Sequence, residues 1–450
     1  MSTSKATVAI LRTYCAIIGV WICLAAINAL LIKTGFHTGA PLFFPISIFS
    51  GSVLHLSGMP YLLLFLILLA WTVKSDAAFN RYQISLVGLV LIILGNLGQG
   101  NMDTAFLKPF YDTGIQYYHD ALKITSWQEW LESFNINQST FFDHSRTHPP
   151  FAVLIHYFLL KAPGNSTLLL SMTFLSLSSV SVLLVWQIFK ALHVPLRERN
   201  LLALLFAVVP AVNIYTAVSL DGLILTAATL FLLGMVRLLQ EERISIAGIS
   251  LFGSGLIITN LLTYGGVFLI AVAGIQGIRE HYLGRKHVVT TALTSSLTAL
   301  ALVFWAIDYF FGYNHIRGFI TASALENPNG FRGLSEPLVY LSTRIECISE
   351  IALFLSLGCL AMVVQPDRLK TLILNWRRVD TGLMISGVMT LLAMVMAGAF
   401  RTGETARSAL FIYPYLMLAF TGTNSPMLKN LILIAGLQTF GMQLFGSYFW

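Results

Sequence analysis

Charge is scarce in this chain. Asp, Glu, Lys and Arg make up 10% of its 450 residues, against about 25% in soluble domains, and a fold with a water-solvated surface is excluded. Cysteine is scarce too. Cys15, Cys23, Cys347 and Cys359 fall within or beside apolar stretches, where a thiol behaves as a small hydrophobe, and their spacing offers neither a disulfide framework nor a metal site. His119, His144 and His148 lack a compact ligand spacing as well. No basic run is interleaved with aromatics, so nucleic acid is not expected as a partner. No internal repeat relates the two halves.

Apolar length is abundant. A spanning helix needs ~20 mostly apolar residues because lipid offers no partners to backbone N–H and C=O groups. Such stretches occur at Thr7 to Ile32, Pro60 to Val73, Ile84 to Gly98, Leu168 to Phe189, Leu201 to Val218, Leu220 to Val236, Ile246 to Ile258, Val267 to Ile278, Val288 to Ile307, Ile351 to Val364, Met384 to Phe400, Leu410 to Ala419 and Leu431 to Phe449. The expected fold is all-α: a polytopic transmembrane protein of about 11 to 14 spans. The first span is too long for a signal peptide and is expected to stay as an anchor.

Lys and Arg concentrate in cytoplasmic loops. With the N-terminus cytoplasmic, the inner face holds 17 Lys/Arg against 7 Asp/Glu and the outer face 10 against 13. The high pI is thereby a signal of topology. Residues 1–100 are expected to form N-terminal spans, 101–148 an extracytoplasmic loop with a juxtamembrane helix, 149–310 a transmembrane core, 311–346 a second outer loop and 347–450 the C-terminal spans. Phe151 to Leu160 is apolar but too short to cross, and predicts a re-entrant or interfacial helix opening at Pro149-Pro150.

The outer loop carries six of the chain's twenty carboxylates: Asp103, Asp112, Asp120, Glu129, Glu132 and Asp143. From Trp127 to Phe134, helical spacing puts Trp127, Trp130, Leu131 and Phe134 on one face and both glutamates on the other. That pattern predicts a helix lying on the membrane surface, with Glu129 and Glu132 as solvated charge. Arg401, Glu404 and Arg407 lie three residues apart, so a helical turn would present them together. Such a group could bind phosphate, since a guanidinium fork matches phosphate oxygens, or serve as a structural ion pair.

Gln116-Tyr117-Tyr118-His119-Asp120-Ala121, followed by Arg146-Thr147-His148-Pro149-Pro150-Phe151 at a helix start, resembles the GT-C superfamily of membrane glycosyltransferases. More narrowly it is similar to prokaryotic relatives of the dolichyl-phosphate-mannose-protein mannosyltransferases and of the lipid A aminoarabinose transferases. The similarity continues through Val218-Ser219-Leu220-Asp221 and Gly403-Glu404-Thr405-Ala406-Arg407. Two spans more than the family commonly has precede the acidic loop, and no Asp-Glu pair opens it.

The resemblance implies transfer of a sugar from a polyprenyl-phosphate donor to a glycan, lipid or protein acceptor, outside a prokaryotic plasma membrane, with no metal or other cofactor. It leaves the catalytic base open among Asp120, Asp112 and Asp103, with Asp120 favoured by its Tyr-Tyr-x-Asp context. A carboxylate at a partly desolvated membrane edge suits that task. Arg146, His148, Arg401 and Arg407 are the candidates for the donor phosphate; His148 could equally serve only to open its helix. Tyr117, Tyr118, His119, Asp221 and Glu404 complete the expected substrate contacts. The alternatives are a secondary transporter or flippase of a lipid-linked sugar, and a non-catalytic membrane component.

Overall fold

The computed structural model describes residues 3–35, 44–49, 53–75, 79–112, 114–162, 164–328 and 330–448. Among them there is no strand: every regular element is a helix. Each apolar stretch read from the sequence falls on helical structure, although Phe449, the expected end of the last span, lies outside the described residues. Six helices among the described residues are long and apolar enough to cross a membrane: Val8–Lys33, Leu56–Lys74, Thr167–Ala191, Leu220–Glu241, Val288–Phe311 and Val379–Ala397. A seventh arises if Pro337–Phe354 and Leu357–Val363, bent by 102° at their break, count as one span.

The larger count expected from hydropathy included runs that form shorter helices, such as Arg81–Leu97 and Ile246–Leu262, of 17 residues each. At 1.5 Å per residue such a helix rises about 25 Å, short of the ~30 Å hydrocarbon core. Two other stretches are interrupted. Leu201 to Val218 is divided into Leu196–Val208 and Pro210–Tyr215, and Ile351 to Val364 breaks at Ser356, whose φ is +81°. Pro150–Lys161 has 12 residues, with Ala152, Val153, Leu154 and Leu160 buried, and is too short to cross, in keeping with the helix expected there.

The chain forms two compact units. One comprises Met1–Asn101, Val185–Thr216 and Phe331–Tyr448; the other comprises Met102–Leu184 and Ala217–Gly330. In the first, Leu196–Val208 packs against Arg81–Leu97 and Ser425–Phe445. Pro210 interrupts the helical hydrogen bonding there, because proline has no N–H to donate. Side chains meet the carbonyls beside the break: Thr439 Oγ1 donates to Val208 O at 2.6 Å and Asn213 Nδ2 to Ala207 O at 3.4 Å, while Asn213 Nδ2 also reaches Leu91 O of the neighbouring helix at 3.2 Å. Gln443 Nε2 donates to Asn213 Oδ1 at 3.2 Å, and Gln99 Nε2 to Gln443 Oε1 at 2.7 Å. Buried backbone polar groups need such partners, and most of all in lipid.

In the second unit Leu220–Glu241 and Ile246–Leu262 form a close helical hairpin. A Cβ added at Gly255 would lie 2.4 Å from Phe231 N, and one at Gly234 2.4 Å from Phe252 N. The two backbones approach through small residues, as is common between membrane helices.

Candidate functional site

In the second unit the acidic stretch is not an open loop. Tyr117–Lys123, Trp127–Asn137 and Asp143–Arg146 are helical and lead into Pro150–Lys161. Trp127–Asn137 has the amphipathic character its spacing predicts: Leu131 and Phe134 are buried, Glu129 and Glu132 exposed. Its apolar side lies over a cavity of about 200 Å³ lined by Trp127, Leu131, Phe151, Leu154, Phe158 and Phe311, with Ile307.

Two sequence stretches some thirty residues apart meet here. Asp120 is buried: Oδ1 accepts from Lys123 Nζ at 3.1 Å and Oδ2 from the backbone N–H of Phe142 at 3.0 Å. The N–H of His144 donates to Ile115 O at 3.2 Å. The Tyr117 ring is buried among three histidines, with centroids 5.7 Å from His144, 5.3 Å from His148 and 5.2 Å from His156. Phe110 packs against Tyr118 and His156, which ties the Asp103–Asp112 stretch to the same cluster. Tyr118 OH pairs with Thr167 Oγ1 at 2.9 Å.

This geometry separates the three carboxylates that the sequence left as alternatives. Both oxygens of Asp120, the favoured base, are held in a latch between helix and loop. Asp103 Oδ1 accepts from Tyr111 OH at 2.7 Å, a bond that raises the Tyr111 pKa to about 12. Asp112 faces Lys108 at 3.9 Å, with more than half of its side chain exposed. Asp112 is the most accessible of the three.

Arg146 Nη2 pairs with Asp143 Oδ1 at 2.6 Å, and its backbone carbonyl accepts from Gln138 Nε2 at 2.9 Å. His148 Nδ1 donates to His144 O at 3.0 Å, which makes Nε2 the basic nitrogen of the neutral ring. Five buried polar atoms of this stretch, His119 Nε2, Trp130 Nε1, Gln138 Oε1, Ser145 Oγ and Arg146 Nε, meet no hydrogen-bond partner among the described residues. Asp221 belongs to this unit as well, at the start of Leu220–Glu241. There Ser219 Oγ accepts from Asp221 N at 2.9 Å and donates to Asp221 Oδ2 at 2.7 Å, the pattern of a helix cap.

Arg401, Glu404 and Arg407 belong to the first unit. Arg407, buried, pairs through Nη2 with Glu404 Oε2 at 3.1 Å. Arg401 is exposed, and its carbonyl accepts from Thr405 Oγ1 at 2.9 Å. The short helix Thr405–Ser408, which carries Arg407, is anchored by Glu350, whose Oε1 accepts from Ala406 N at 2.9 Å.

Glu350 and Glu346 were not singled out from the sequence. They lie one helical turn apart on Pro337–Phe354 and are both 1% exposed. Glu346 lies beside the backbone of Ser47, yet neither of its carboxyl oxygens makes a hydrogen bond among the described residues. Arg344 on the same helix donates to Val395 O at 2.9 Å and caps the end of Val379–Ala397. The signal for the two glutamates was their spacing of four within an apolar helix. His156 was missed likewise; its Nδ1 donates to Ala152 O at 2.7 Å inside an otherwise apolar helix. Comparison of the chain with protein-family models, with curated proteins and with solved structures finds no match.

Proposed function

We propose that this protein is a membrane glycosyltransferase of GT-C type, moving a sugar from a polyprenyl-phosphate donor to an acceptor at the extracytoplasmic face. The carrying observation is the meeting of the Gln116–Ala121 and Arg146–Phe151 stretches around Tyr117. Deprotonation of an acceptor hydroxyl falls to Asp112, or to Asp103 through its bond with Tyr111. Arg146, whose Nε–H lacks an acceptor, and the imidazole of His148 suit the departing phosphate. The apolar cavity bounded by Phe151 and Trp127 offers room for the first isoprene units of the donor.

The test uses membranes containing wild type or the Asp112→Asn, Asp103→Asn and Asp120→Asn variants, at matched expression, with labelled polyprenyl-phosphate sugars and native acceptor extract. Abolition of transfer by Asp112→Asn or Asp103→Asn, with donor binding retained, supports the reading. Wild-type membranes that carry the lipid-linked sugar between leaflets without any transfer would overturn it.

A second reading, a transporter or flippase of a lipid-linked sugar, draws on Glu346 and Glu350. Buried ionisable groups beside a broken helix are characteristic of coupled transport sites. Loss of leaflet-to-leaflet movement in Glu346→Gln would favour it.

A further inference from the structure

The first unit contains a cavity of about 360 Å³, whose wall includes Thr72 and Val73 at the end of Met59–Lys74 and Phe79 and Ile84 around the start of Arg81–Leu97. It therefore lies at the level where the chain turns from one apolar helix to the next. Arg197 and Lys429 also line it. This edge carries Lys74, Arg81, Lys190, Arg197 and Arg199, the excess of cations that marks a cytoplasmic face.

The wall is built rather than incidental. Asn200, 6% exposed, accepts from Trp186 Nε1 at 2.7 Å and donates to Phe79 O at 2.8 Å, fixing helix to loop at the cavity's edge. Arg199 donates to Val194 O at 2.8 Å and lies over the Trp186 ring. Glu198, the carboxylate next to Arg197, is engaged by the Ser425 hydroxyl. Apart from Thr72, whose hydroxyl donates to Leu68 O at 2.8 Å, the remaining wall is aliphatic or aromatic.

We propose that this cavity binds an anionic phospholipid, its headgroup phosphate between Arg197 and Lys429 and part of an acyl chain along Val73, Ile84, Leu201 and Leu204. Two cations at the polar rim of an apolar cleft match a phosphodiester joined to a hydrocarbon tail, and basic pockets between helices on the cytoplasmic side take such headgroups. A volume of this size accommodates the phosphate and the first segment of one chain. A zwitterionic headgroup would bring its own cation against Arg197 and Lys429 and be disfavoured. The site is separate from glycosyl transfer and does not depend on it.

The experiment is native mass spectrometry of the full chain, released from detergent after equilibration with phosphatidylglycerol, phosphatidylcholine or inorganic phosphate. Wild type is expected to retain one phosphatidylglycerol with at least a roughly tenfold preference over phosphatidylcholine. Arg197→Gln with Lys429→Gln is expected to abolish the preference. Lys370→Gln with Arg377→Gln, exposed cations on the same expected face, keeps it. Leu204→Trp, which fills the cleft and spares both cations, should lose the lipid. Equal retention of the two lipids by wild type overturns the proposal. So does a preference that survives in folded Arg197→Gln/Lys429→Gln protein. Competition by inorganic phosphate that Leu204→Trp leaves intact would identify an anion site without a lipid, and also overturns it.

Discussion

The Asp120 carboxylate reaches across twenty-two residues to the Phe142 main chain, accepting its N–H at 3.0 Å. Because this oxygen is buried, removing it strands a backbone donor, at a cost of about 1–3 kcal/mol. Asp120→Ala is therefore expected to lower the thermal midpoint by several degrees. Asp112→Asn, at an exposed position, should leave the midpoint unchanged while removing transfer. Equal midpoints for Asp120→Ala and wild type would show that the latch does not hold the loop.

Tyr111 and Asp103 give a spectroscopic handle on the same region. The carboxylate that accepts the phenol's hydrogen bond opposes its ionisation and holds it at about 12. Asp103→Asn should bring Tyr111 down toward its ordinary value near 10. A difference titration of phenolate absorbance between the two proteins, with Tyr111→Phe as the blank, should show one tyrosine moving downward. An unchanged curve would mean that the bond does not form in solution.

His315 couples the second unit to pH. Burial against Phe304, 3.8 Å between ring centroids, lowers its pKa from near 6.5 to about 4. The unfolded chain binds this proton first as pH falls, so the contribution is complete above pH 6.5 and is lost between 6.5 and about 4. Thermal unfolding followed across that window should be less pH-dependent in His315→Phe. Parallel slopes in variant and wild type would assign the effect elsewhere.

Gly95 approaches Asn213 so closely that an added Cβ would lie 2.1 Å from its Oδ1. Gly95→Ala must push Asn213 from the carbonyls beside Pro210, and overpacking of this kind costs about 1–3 kcal/mol. A stability equal to wild type in a denaturant titration would mean that the network can shift without loss.

Periodicity made the helices legible, together with the amphipathic helix from Trp127 and the opening of Pro150–Lys161, because each rests on local spacing or on proline chemistry. What spacing could not carry was partnership. Asp120 is paired with a main-chain N–H, and an N–H at position 142 looks like any other in a sequence. Glu346 and Glu350 were passed over because the span was expected to begin at Ile351, which left Glu346 in the second outer loop and Glu350 just ahead of the span. The Pro337–Phe354 helix begins well before that position. The bend at Ser356 likewise has no signature in an apolar run, since Leu355 and Leu357 on either side are equally hydrophobic.

The break at Pro210 also sets a schedule. Thr439, which satisfies Val208 O, is separated from it by 231 residues, and translation at 5–20 residues per second leaves an interval of roughly ten to fifty seconds. Over that time the nascent chain holds an exposed carbonyl that must be met by water, lipid headgroups or an insertion chaperone. Maturation of this unit is thereby tied to the arrival of its last helix.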